Sequence, residues 1–144
     1  MTKGHTMTLV TTLQFAGLLH LGLIAAGLMM PRAVNLRSHI ATLPPFVHRL
    51  FWVYYTFVGL CLVSFGMLSF FFAHDLASGT TLARTLCGFL AAFWLVRLFV
   101  AAFVFDVSPY LTSTFRKAGY HATNIVFALL PLIYGWAAFA GGTQ

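Results

Sequence analysis

Hydrophobic and polar positions alternate in long blocks along this chain. Four stretches, residues 9–30, 47–73, 82–105 and 119–140, are almost wholly apolar. Each is long enough for a helix crossing the ~30 Å core of a bilayer, which takes about 20 residues. The breaks carry turn chemistry: "MPRAVNLRSHIATLPP", "HDLASGTT" and "DVSPYLTSTFRK". Pro44 and Pro45 stand where a first helical turn tolerates proline. Pro131, inside the last stretch, removes a backbone N–H and predicts a kink that frees the Phe127 carbonyl. In the first break Ala33, Leu36, Ile40 and Leu43 recur near helical spacing, the pattern of a short helix at headgroup level, with a plain connecting loop as the alternative. The first apolar run exceeds the length of a signal-peptide core and reads as a helix. The expectation is all-α: one domain over residues 1–144, an up-down four-helix bundle in the membrane.

Composition agrees. Of 144 residues, 60% are hydrophobic and only 7% charged, against about a quarter charged in soluble domains. A water-facing surface cannot be made from so few charges. Localisation is expected to be the cell membrane, as a multi-pass protein whose immediate partner is the lipid bilayer. The net charge of +6 comes from residues flanking apolar runs, which fits orientation in a bilayer and not nucleic-acid binding. The first and third connections hold Arg32, Arg37, Arg49, Arg116 and Lys117, and the opposite face holds Lys3 and Arg84. Both termini are therefore expected outside. Cys61 and Cys87 lie within apolar runs and read as buried free thiols.

Candidate chemistry comes from the polar residues inside the spans. Arg97 lies eight residues, about 12 Å, from the end of the third span, and His20 about 15 Å from the end of the first. Tyr55 is placed at a similar level on the second and Asn124 somewhat shallower on the fourth. His48, Trp52 and Tyr55 share a face with Gly59 and Gly66, and His121 shares one with Asn124. Small residues beside polar ones permit close approach of a helix or a flat cofactor. A charge near the membrane centre costs roughly 3 kcal/mol on insertion scales, so Arg97 is expected to face protein, water or a partner. Asp106, nine residues on, turns to the opposite face of the same helix.

Two cofactors suit such a layer. A haem b takes imidazole ligands, with His48 and His121 matched in depth, or His20 deeper. A quinone would be met by His20, Trp52, Tyr55 and Arg97. The alternative is an accessory or assembly subunit with no cofactor, within a larger membrane complex or a homo-oligomer. Hydrolase and transporter motifs are not seen: no GxSxG, no intramembrane acid pair and no inverted repeat.

His20, followed by "GLMMPR" (27–32) and then "HRLF" (48–51), resembles the HemJ-type membrane protoporphyrinogen oxidases, short helical membrane proteins that bind haem. The resemblance covers the first half of the chain. It implies that His20 corresponds to the functional first-helix histidine and that haem is bound. The family's Trp-Leu-His-x-Lys pattern in the third helix has no counterpart, unless Arg97 stands for its lysine.

Overall fold

The computed structural model describes residues 3–140. Six helices are found there: α1 (Lys3–Ala33), α2 (Leu36–Ile40), α3 (Pro45–Phe71), α4 (Ala73–Leu76), α5 (Thr81–Phe103) and α6 (Thr114–Ala140). Four of them, α1, α3, α5 and α6, are long and apolar enough to span a membrane. The architecture is the all-α four-helix bundle that the hydrophobic pattern calls for.

Several ends differ from the sequence reading, each for a local reason. α1 begins six residues early, and it carries Thr8, Thr11 and Thr12 with their hydroxyls donating to the carbonyls of Gly4, Met7 and Thr8. Those hydroxyls are satisfied within the helix, so they do not end it. α6 begins at Thr114, where the Ser113 hydroxyl accepts the Arg116 N–H at 3.3 Å, a side-chain cap. α5 starts behind Thr80, which caps Ala83 at 3.3 Å, and stops at Phe103, so Phe105 lies outside it. The second apolar run divides into α3 and the one-turn α4, whose Ala73 and Leu76 are buried.

α2 fills the first connection as expected, with Ile40 buried against the bundle and Arg37 and His39 exposed. It is entered through Asn35 in the left-handed conformation, φ 48°, which asparagine tolerates better than most residues.

α1 is the central helix of the packing, against both α3 and α6, and α5 lies along α6. Leu9, Leu13, Leu90, Leu130 and Tyr134 are fully buried at the centre. α3 and α5 meet through aromatic side chains: the Phe65 ring stands 6.5 Å from Phe89 and 5.1 Å from Phe93. α3 joins α1 by close backbone approach. A Cβ on Gly66 would lie 2.9 Å from the His20 Cβ, and one on Gly17 would lie 3.0 Å from the Gly66 carbonyl. Only hydrogen fits at that crossing. Elsewhere α3 is open, with Gly66 and Ser69 its buried residues.

Cys87 is buried but Cys61 is exposed on α3, which corrects the expectation that both thiols are buried. α3 presents its outer face to lipid, and in lipid an apolar run does not say which way a given residue points.

Candidate functional site

Pro31, inside α1, has no N–H to give to the carbonyl four residues back, which is that of Gly27. In a bilayer an unpaired carbonyl is costly. The Tyr55 hydroxyl donates to the Gly27 carbonyl oxygen, so the backbone group that the proline strands is paired from α3. Tyr55 is thus committed to the α1–α3 interface. Gly27 lies seven residues beyond His20, about 10 Å along the axis, so Tyr55 and His20 do not share a level.

His20 sits in the core, wholly buried. Its Nδ1 lies 2.7 Å from the Ala16 carbonyl oxygen. A carbonyl only accepts, so Nδ1 carries a proton. Nε2 is buried with no hydrogen-bond partner among the described residues, and so is the indole Nε1 of Trp94. The two rings meet edge to face at 5.3 Å. Tyr134 stands 6.4 Å and Phe65 6.5 Å from the imidazole. The Tyr134 hydroxyl is paired with Ser69 Oγ at 2.5 Å. Ser69, Tyr134 and Phe65 were not singled out in the sequence. The signal present was the small-residue face of α3, Gly66 and Ser69, which marks where a partner helix comes close.

Arg97 lies one turn beyond Trp94 on α5. Its guanidinium carbon is 4.6 Å from the centroid of Phe127 and 6.0 Å from that of Phe105, within the range of cation–π attraction. Phe127 in turn stacks on Trp94 at 5.7 Å and 26°. Arg97 Nη1 is buried without a hydrogen-bond partner. Beside it runs a groove of about 560 Å³, walled by apolar side chains of α5 from Phe89 to Val100, with Phe105 at one end. Among the described residues Arg97 is the only charged one lining it.

The remaining candidates fall elsewhere. Trp52 donates its indole N–H to His48 Nε2 at 3.4 Å, along one turn of α3. His121 is exposed on α6 with its ring edge on Tyr120 at 5.5 Å. Asn124 is half-buried one turn before Phe127. The single polar layer expected from depth is therefore spread out: His20 with Trp94 and Tyr134, then Arg97 on Phe127, then the Tyr55–Gly27 pair. The sequence estimate measured each helix from its own end and could not see the register between helices.

A porphyrin on His20 would need an open face beside Nε2. The imidazole is enclosed by three aromatic rings and by the Gly66 crossing, so this packing does not fit haem at His20. Among the described residues no group of three or more His, Cys, Asp or Glu side chains is gathered as a metal site.

Fold and site together define a small polytopic membrane protein, with a buried aromatic–histidine core and a lipid-facing groove that carries one arginine. Comparison with protein-family models, curated proteins and solved structures finds no match for this chain.

Proposed function

We propose that this protein is a membrane-embedded binding module for a quinone, taken from the lipid phase into the groove on α5. The observation that carries the reading is Arg97, the one charged side chain among the described residues that line an otherwise apolar groove. A quinone carbonyl is an acceptor on an apolar ring, which complements one donor-bearing side chain, the Arg97 guanidinium, among aromatic and aliphatic walls. The volume lies in the usual range for small-molecule sites, about 300–1,000 Å³. His20, Trp52 and Tyr55 are left out of this ligand set, since His20 and Tyr55 pair with the Ala16 and Gly27 carbonyls and Trp52 with the His48 ring. A quinone carries electrons between partners, so the reading makes the chain a subunit of a larger membrane redox assembly.

Titrating the nanodisc-embedded protein with a naphthoquinone tests this. Saturable binding of one molecule per chain is expected, with Arg97→Gln weakening it about tenfold or more, as for loss of a hydrogen bond to a charged group, about 1.5–3 kcal/mol. Binding that only follows partitioning into lipid, or that Arg97→Gln leaves unchanged, would overturn the reading.

A second reading, an accessory subunit with no cofactor, is favoured by α3. Its 27 residues bury only Gly66 and Ser69, so most of the helix is open to a neighbouring helix as well as to lipid. Failure of the titration, together with co-purification of a stoichiometric membrane partner lost on mutating that face, would support it.

A further inference from the structure

The shape of the groove says more about the ligand than its one polar group does. Resting on the quinone reading, we infer that the ligand is a tailed amphiphile, its head at Arg97 and its chain lying over Ala92 toward Phe89. The groove runs along a single stripe of α5. Phe89, Ala92, Phe93, Val96, Arg97 and Val100 follow one another at helical spacing. From Phe89 to Arg97 is eight residues, about 12 Å, and every wall along that length is apolar. The polar end is bordered by Phe105, beyond the helix, whose ring centroid lies 6.0 Å from the Arg97 guanidinium carbon. At the other end, among the described residues, nothing charged and no polar side chain lines the groove.

Orientation points the same way. Arg97 is six residues, about 9 Å, from the end of α5, whereas Phe89 is fourteen, about 21 Å. The polar end thus lies nearer the membrane face and the apolar end nearer the bilayer middle. A bilayer imposes that arrangement on any amphiphile of the same leaflet. Phe89, Val96 and Phe105 are each more than half exposed, so the groove opens sideways to lipid, and a chain can enter without crossing the protein. Ala92, between Phe89 and Val96, is the smallest side chain of the wall and leaves a notch between them. A bare ring at Arg97 would leave this notch to be filled by unrelated lipid.

The test uses two probes with one naphthoquinone ring, one bearing a methyl group and one a decyl chain. Each is titrated into protein in phosphatidylcholine nanodiscs and compared at equal mole fraction in the bilayer, which removes the difference in partitioning. The tailed probe is expected to bind at least tenfold more tightly. Ala92→Phe, which fills that place, should abolish most of that advantage, so that the ratio of the two affinities falls toward one. Ala92 is exposed, so the larger side chain points away from the core. Should Ala92→Phe nevertheless melt below wild type, Ala92→Leu reads the same effect. Equal affinity for both probes, or indifference of the tailed probe to the Ala92 variants, would overturn the tail inference and leave the quinone reading intact. No saturable binding of either probe would overturn the quinone reading itself.

Discussion

Tyr55 shows how one residue can look like a ligand and be a structural clasp. A tyrosine among apolar neighbours, on a stripe with His48 and Trp52, has the same sequence signature in either role. What decides between them is Pro31, 24 positions away, which leaves the Gly27 carbonyl for Tyr55 to pair. Tyr55→Phe should therefore lower stability in detergent unfolding by about 1 kcal/mol, the usual net worth of one hydrogen bond. In a Pro31→Ala background the helix regains its own N–H, and the cost of Tyr55→Phe should fall by at least half. A double-mutant cycle measures this coupling, and additive costs would break the link. Arg97 is the opposite case. Its position in the sequence already said that something must meet the charge, but Phe127, which lies beneath it at 4.6 Å, could not be found without knowing how α5 and α6 align.

At the scale of elements, the four spans were legible because a bilayer demands length and apolarity, and both are plain in the sequence. Their ends were less so. Thr8 and Thr12 are polar, yet they continue α1 through bonds to its own backbone, and no hydropathy pattern records that. Pairing between helices was legible only in outline. Gly59 and Gly66 lie on one face of α3 and look alike in sequence, but a Cβ on Gly66 would meet His20 at 2.9 Å, whereas one on Gly59 would meet nothing within 4 Å. Gly66→Ala is expected to cost about 1–3 kcal/mol, as overpacking does, and to loosen α3 from α1. Gly59→Ala should stay within about 0.5 kcal/mol of wild type. Thermal unfolding of both variants in one detergent decides this, and equal effects would mean that the crossing point lies elsewhere.

For the whole molecule, an even number of spans sets the N-terminal end of α1 and the C-terminal end of α6 on one face, with α2 on the other. Which face is cytoplasmic rests on five basic residues against two. In a cysteine-free background, Ser78→Cys should react with an impermeant maleimide on intact cells, and Ser38→Cys and Ser113→Cys only after permeabilisation. The reverse pattern would invert the orientation and keep the fold, whereas Ser38→Cys and Ser113→Cys reacting from different sides would break the four-span topology.

The clasp between Pro31 and Tyr55 also has a consequence in time. A chain made from its N-terminus exposes α1 to lipid before α3 exists, and during that interval the Gly27 carbonyl has no partner within the nascent chain. The first helix is therefore born with a defect that only the second long helix repairs. The order of synthesis gives α1 a reason to wait beside the insertion machinery, where water or protein can hold that carbonyl, until residue 55 has been made and the two helices can leave as a pair.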